Sequence, residues 1–340
     1  MDKSAGAHSL EDTMKAFWRW CALTAVLAAS TIPTYAETGA YPDKPVQIIA
    51  DSPAGSTPDV ALRFIAEELT KAWGQQVVVV NRPGAGGSLA ARAAAEAAPD
   101  GYTLYQPVLS TFVTLHPAAA NVPLHVPKDF LPIGFVAENP MFIAVSPSLG
   151  VKSLAELIAL AKKKPGAISY AATGIGRLTH LTGELLQREA DIKLQLVPYT
   201  AGGPAQGVSD VATGRVGMIV EGYSGIAASA RSGAIKLIAV ASAKRLGDFP
   251  DVPAVAETIP DFIATGWGIL VAPVGTPDAI VRKVSEDLYK IAKDPELNQK
   301  LAKLGSYTRP MLADETQAFV QSQQSRWNPV LADVARAQQK

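Results

Sequence analysis

The chain has 340 residues, 48% apolar and 18% charged, with a mean hydropathy of +0.13. Lys plus Arg and Asp plus Glu each number 31, so the formal net charge is zero. That balance, with no like-charge run beyond Lys162-Lys163-Lys164, argues against a nucleic-acid partner, and the apolar content argues against disorder.

Met14 to Ala36 reads as a secretory signal peptide, with Met14 as an alternative start. Lys15 and Arg19 form a positive region, Cys21 to Ser30 an apolar one, and Thr34-Tyr35-Ala36 a cleavage site near Ala36. The apolar run is about half of the ~20 residues that a membrane span needs. Cleavage would leave Glu37–Lys340 outside the cytoplasm, without the single cysteine. Disulfides, thiol nucleophiles and thiolate metal sites are then excluded. Export also argues against ATP, GTP or NAD, and no cofactor is expected.

In the exported chain, short β-rich runs alternate with helical patterns. The expected strands are Val46–Ala50, Val77–Val80, Thr103–Gln106, Phe142–Val145, Ile168–Tyr170, Leu194–Val197, Met218–Val220, Ile235–Val240 and Ile269–Ala272. Several are unbroken apolar runs, the pattern of strands buried on both faces of a parallel sheet. Ser153–Lys164 is the clearest helix, with Leu154, Leu157, Ile158 and Ala161 on one face and Pro165-Gly166 as its stop. The chain ends in helices over Thr276–Lys293, Pro295–Leu304 and Asp314 to about Gln338, the last expected to kink or break at Pro329. The alternation indicates an α/β protein with doubly wound sheets. A length suited to two domains, without a flexible linker, suggests two lobes between which the chain crosses more than once.

In doubly wound folds the ligand sits beyond the carboxyl ends of the strands. Pro53-Ala54-Gly55-Ser56-Thr57-Pro58-Asp59 follows the first strand, with Thr57 as N-cap and Pro58 at the first helical position. Tyr199-Thr200-Ala201-Gly202-Gly203-Pro204 repeats the design, with Gly203 as N-cap. Glycines allow close backbone approach, and free N–H groups at a helix start favour an anion, although both segments also read as ordinary tight turns. Thr173-Gly174-Ile175-Gly176 leads through Arg177 to His180, which either donates to a ligand or bonds a nearby carbonyl. Glu221 ends another strand, where a carboxylate either caps backbone N–H groups or touches a ligand.

Enzymatic motifs are broken. Leu89 spoils a dinucleotide-type glycine spacing after Gly84, and Ile226 stands where a nucleophile elbow needs its second glycine. His116, His125 and His180 have no metal-ligand spacing.

The ordered blocks of this chain resemble the Bug-type solute receptors of tripartite tricarboxylate transporters. These blocks are Ala54-Gly55-Ser56-Thr57-Pro58-Asp59 with Arg63, Val80-Asn81-Arg82-Pro83-Gly84-Ala85-Gly86-Gly87 and Pro99-Asp100-Gly101-Tyr102-Thr103-Leu104. They continue with His180-Leu181-Thr182-Gly183-Glu184-Leu185, Val197-Pro198-Tyr199 and Phe249-Pro250-Asp251-Val252-Pro253. The resemblance runs from Tyr41 to Trp327 and implies a two-lobed, Venus-flytrap periplasmic binding protein. Each lobe would be a sheet flanked by helices, with the ligand cleft between them. Lobe 1 is expected over 37–138 plus 266–340 and lobe 2 over 139–265, with crossings near Asn139 and Thr265.

It implies a monomeric, non-enzymatic receptor that captures a small carboxylated solute and hands it to the membrane permease. An extracytoplasmic serine or metal hydrolase, or a sensor docking a membrane regulator, is the alternative. Candidate ligand contacts are Asp51, Ser52, Pro53, Ala54, Gly55, Ser56, Thr57 and Asp59, then Ser110 and Thr111. Thr173, Gly174, His180, Tyr199, Thr200, Ala201, Gly202, Gly203 and Glu221 complete the set. Asp51-Ser52 replaces the family's usual Pro-Phe, Ser56 a glycine, Thr200-Ala201 a basic residue and glycine, and Glu221 an aspartate. If Asp51 points into the cleft, the preferred ligand is a monocarboxylate or a carboxylate bearing an amino or other donor group, which Glu221 then helps to receive.

Overall fold

A computed structural model of the protein describes residues 41–112, 126–199 and 203–338. The expected signal peptide and the Thr200-Ala201-Gly202 part of the second turn lie outside the described residues. The chain divides after Asp43, and everything below concerns the unit from Lys44 onward.

Nine strands are present among the described residues. They are β1 (Val46–Ala50), β2 (Val77–Asn81), β3 (Thr103–Gln106), β4 (Phe130–Val145), β5 (Ser169–Ala172), β6 (Gln195–Pro198), β7 (Met218–Gly222), β8 (Lys236–Val240) and β9 (Thr265–Pro273). Their order is β2-β1-β3-β9-β4-β7-β5-β6, and β8 pairs with β4 off this path. The expected parallel pairing occurs in two sets. β1 lies between parallel β2 and β3, and β5 between parallel β6 and β7. The remaining pairings are antiparallel, which the doubly wound expectation missed: β9 with β3 and β4, and β4 with β7 and β8.

β4 is the backbone of this arrangement. Its residues Phe130–Pro140 pair with β9, and beyond Pro140 its residues Met141–Val145 pair with β7 and β8. Sequence reading finds only Phe142–Val145, because Pro132, Gly134 and Pro140 interrupt the apolar run. The register shifts between Pro132 and Gly134 and again between Phe135 and Ala137. Bulges of this kind let a long strand carry a residue without an N–H and bend as it goes.

The helices are α1 (Thr57–Trp73), α2 (Ser88–Ala95), α3 (Leu109–Phe112), α4 (Leu154–Lys163) and α5 (Leu178–Ala190). They continue as α6 (Ala205–Ala212), α7 (Tyr223–Arg231), α8 (Asp278–Ile291), α9 (Pro295–Ala302) and α10 (Ala313–Gln338). α1 buries Ala61, Leu62, Ile65, Ala66 and Leu69, the spacing of one helical face, and Gly74 ends it in the left-handed region. α4 has Ser153 as its N-cap, accepting from the Glu156 N–H. α10 runs as one helix through Pro329, so of the expected kink or break there is no break. One missing N–H costs about 3 kcal/mol, and a 26-residue helix whose Val320 and Trp327 are buried retains enough bonds and packing to carry it.

Tyr105, Tyr170, Phe130, Phe135 and Phe142 are fully buried between sheet and helices. Gly183 on α5 lies against the Tyr170 ring, whose Oη donates to Glu184 Oε1 at 2.7 Å. A Cβ on Gly183 would come within 2.6 Å of Tyr170 Cζ. Ala usually stabilises a helix interior by about 1 kcal/mol over Gly. Here overpacking outweighs that gain, and Gly183→Ala should lose ~1–3 kcal/mol. Equilibrium urea unfolding measures it, and an unchanged or raised midpoint would show that Tyr170 moves aside freely.

Candidate functional site

The turn after β1 is held by its own side chains. Ser56 Oγ donates to the Pro53 carbonyl at 2.6 Å, and the Gly55 N–H donates to Asp59 Oδ2 at 2.9 Å, with Gly55 at φ +75°. Asp59 also accepts from Asn81 Nδ2 at 2.7 Å and from Arg63 Nε at 3.0 Å. Asn81 donates in turn to the Ser52 carbonyl at 3.0 Å. α1 begins one residue earlier than expected, with Ser56 as N-cap and no side chain capping its first turn. Its leading N–H groups therefore have no intrahelical partner.

Asp51 is turned away from the cleft. Its carboxylate is fully buried and accepts from Thr111 Oγ1, from Tyr105 Oη at 3.2 Å and from the Val108 N–H at 3.4 Å. Burial pushes its pKa up, against the pull of Arg177 and of these three donors. The side chain is not among the residues lining the cavity described below, where a selective role for Asp51 would require it. Donors supplied by β3 and the start of α3 hold the carboxylate inside the fold.

Across the cleft, the β5–α5 turn places Gly174 at φ +122° and Gly176 at φ +77°, then presents Arg177 as the uncapped N-cap of α5. Arg177 Nη2 donates to the Asp51 carbonyl at 2.5 Å, Nη1 donates to Ser110 Oγ at 3.1 Å, and Nη1 lies 3.8 Å from Asp51 Oδ1. Two further contacts close the same gap. Ser224 Oγ donates to Thr57 Oγ1 at 2.8 Å, and a Cβ on Gly203 would stand 2.9 Å from the Ala54 carbonyl oxygen. Gly203 itself has φ +70°. α6 starts at Ala205 with Pro204 as N-cap, one residue beyond the expected boundary.

Between these walls lies a cavity of about 70 Å³, lined from one side by Ser52, Pro53, Ser56, Pro58, Val108, Leu109 and Ser110. Thr173, Arg177, Leu178, Thr179 and Glu221 line the other side, and Asn139, Met141, Gly266 and Trp267 of β4 and β9 close the base. Three residues of this lining carry a buried side-chain atom without a hydrogen-bond partner, Ser52 (Oγ), Trp267 (Nε1) and Glu221 (Oε2), and Trp267 also borders the larger pocket described below. Buried polar atoms are almost always paired, so such a group of orphans around one void marks a place for a ligand. Burial pushes Glu221 up to about 7, although the Gly222 N–H donates to its Oε1 at 2.9 Å.

Of the expected contacts, Ser52, Pro53, Ser56, Ser110, Thr173 and Glu221 line the cavity. Ala54, Gly55, Thr57, Asp59, Thr111, Gly174 and Gly203 are not among its lining residues. His180 is buried elsewhere: its Nδ1 accepts from the Gly176 N–H at 3.1 Å, and its Nε2 is 3.6 Å from Glu184 Oε1. The imidazole is the first cause holding Glu184 below the ordinary carboxylate range. Tyr199 donates to Asp210 at 2.6 Å, with its phenol pushed up to about 12, chiefly by burial. Arg177, Asn139 and Trp267 were missed as contacts. Arg177 follows a glycine-flanked turn that the sequence makes conspicuous, and Asn139 and Trp267 sit at the two expected crossings.

A larger pocket, about 450 Å³, lies among Glu138, Tyr307, Arg309, Phe319 and Trp327. Arg309 there is paired with Glu138 at 3.5 Å and stacked on Phe135 and Phe319. None of the strand–helix turns reaches it, so the smaller cavity is the better candidate.

A sequence profile described as the tripartite tricarboxylate transporter family receptor matches residues 61–335. Protein BugT of Bordetella pertussis is 33% identical over 315 residues, covering 91% of this chain and 94% of BugT. Two solved structures from Rhodopseudomonas palustris are similar throughout. Rpa4515 with adipate shares 28% identity at a TM-score of 0.80, covering 85% of this chain and 97% of that one. MatC (Rpa3494) with bound malate shares 27% identity at a TM-score of 0.76, covering 86% and 100%. With a mixed α/β fold of the periplasmic-binding-protein kind and a matching profile over most of its length, this chain belongs to the tripartite tricarboxylate transporter receptor family.

Proposed function

We propose that the protein is a periplasmic receptor that holds a small carboxylate in the 70 Å³ cavity and delivers it to membrane permease subunits. The observation that carries this reading is the set of donors converging on one void. Arg177 supplies a cation, Ser52 Oγ and Trp267 Nε1 supply unspent donors, and two helix starts, α1 and α5, open there without side-chain caps. Each of these favours an anion. The adipate and malate named for the two R. palustris structures are anions of this class.

The proposed lobes are residues 139–265 and the remainder of the exported chain. In support, β4 changes partners at Pro140 and β9 begins at Thr265, so both connections pass at the cavity base. A rotation about those two strands would part Arg177 from the Asp51 carbonyl and open the site, and ligand would draw it shut. The receptor acts as a monomer without a cofactor, and the signal peptide is cleaved near Ala36.

Thermal unfolding with malate, adipate and citrate tests the reading. A ligand at a hundredfold excess over its Kd should raise the midpoint by about 5 °C. No shift with any carboxylate, or turnover of a bound one, would contradict it. Arg177→Gln should weaken the best ligand tenfold to a hundredfold, since a charge-assisted bond contributes roughly 1.5–3 kcal/mol. Gly203→Val meets both a φ of +70° and the 2.9 Å approach to Ala54, and should weaken binding still more. Titration calorimetry showing Gly203→Val with wild-type affinity would remove the second turn from the site.

A further inference from the structure

We propose that Glu221 enters the ligand complex as a neutral acid whose Oε2 donates a hydrogen bond to a carboxylate oxygen of the solute, so the receptor takes up a proton with its anion. This rests on the carboxylate-receptor reading above. No bond to carbon changes in this step. One proton comes from solvent to Glu221, and it returns to solvent when the solute leaves.

The geometry is specific. Glu221 is 3% exposed, its Oε1 already accepts from the Gly222 N–H, and its Oε2 lines the cavity with no partner. Several groups face the carboxyl from the elements packed on it. Thr173, just past the end of β5, and Arg177, the cation at the start of α5, both favour its ionised form and only partly offset burial. Pro204 and Gly225, before α6 and in α7, close over its stem without charge: a Cβ on Gly225 would lie 3.0 Å from Glu221 Cγ and 3.1 Å from Pro204 Cγ. Arg177 divides its charge. Its terminal nitrogens bond the Asp51 carbonyl and Ser110 Oγ and lie beside the Asp51 carboxylate, and the N–H groups left over are available to the ligand.

Burial already pushes Glu221 up to about 7. A second carboxylate placed beside it, in a cavity with little water, disfavours its ionised form further. Two carboxyl groups sharing a site hold one proton between them. An ammonium-bearing ligand would instead keep Glu221 ionised. The rest of the lining favours the acid, because the other orphaned atoms, Ser52 Oγ and Trp267 Nε1, can both donate. Protonated Glu221 makes a third donor on the same void. Asp51, the other buried carboxylate nearby, does not line the cavity: its Oδ2 takes the bonds from Tyr105, Thr111 and Val108, and its unbonded Oδ1 lies 3.8 Å from Arg177 Nη1.

The sign of the pH dependence follows. Below about 7 Glu221 is already protonated and carboxylate affinity is level, whereas above it each turn of binding must first supply a proton. Malate and adipate are the probes, titrated calorimetrically at pH 6 and pH 8 in two buffers of different ionisation enthalpy. The wild type should bind about tenfold more weakly at pH 8 than at pH 6 and take up close to one proton at pH 8. In Glu221→Gln the two Kd values should agree within about twofold and the proton uptake should vanish. Binding that is level or tighter at pH 8, or a slope that persists in Glu221→Gln, overturns the inference while leaving the receptor reading intact. Should the variant not fold, the buffer-dependent proton count on the wild type decides alone. No binding of either probe at either pH overturns both.

Discussion

A carboxylate without solvent exposure ends the first strand, and the architecture of the cleft is arranged around it. Asp51 collects a tyrosine hydroxyl, a threonine hydroxyl and a backbone N–H from β3 and the start of α3, so it pins the first turn to its neighbours. A buried charge is costly unless it is bonded and paired. Among the described residues the one cation acting on it is Arg177, which arrives from the opposite side of the cleft and also grips the Asp51 backbone. The requirement to compensate Asp51 therefore draws Arg177 into the cavity and holds the two sides together there. Fold stability and ligand chemistry meet in this one pair.

The second constraint is the long β4–β9 ribbon. A strand of sixteen residues that is antiparallel to β9 along one stretch and to β7 and β8 along the next ties both parallel sets into one path. Its prolines fall beside register shifts or where the partners change, so the ribbon bends while keeping most of its bonds. Asn139, Met141, Gly266 and Trp267 then form the base of the cavity, because the ribbon must pass beneath both helix starts. Uncapped α1 and α5 give up capping bonds of about 1 kcal/mol each, and orphaned Ser52, Trp267 and Glu221 add to that cost. Local rules broken together at one place are the mark of a site whose missing partner is a ligand.

Much of this was legible in the residues. The turn at Pro53–Asp59 announces itself through Gly55 and Pro58, and strands such as β1 and β3 match their apolar runs because both faces are buried. β4 was not legible beyond its last four residues, since Pro132, Gly134 and Pro140 read locally as breaks and only pairing with β9 makes a strand of them. The direction of Asp51 is open in the sequence for a related reason. Its neighbours in the chain suggest a ligand contact, whereas its fate is decided by Tyr105 and Thr111, more than fifty residues away. The segments that carry Arg177 and Trp267 stand out in the sequence, but nothing local says which way a single side chain crosses a cleft.

The claim that Asp51 positions the cleft's cation is tested most directly by a double-mutant cycle on carboxylate affinity. Titration calorimetry with malate or adipate would compare the wild type, Asp51→Asn, Arg177→Gln and the double variant. If Asp51 acts through Arg177, either single change should weaken binding by a similar factor, and the double variant should be little worse than either alone. Losses that simply multiply, or an Asp51→Asn variant with full affinity, would contradict the account.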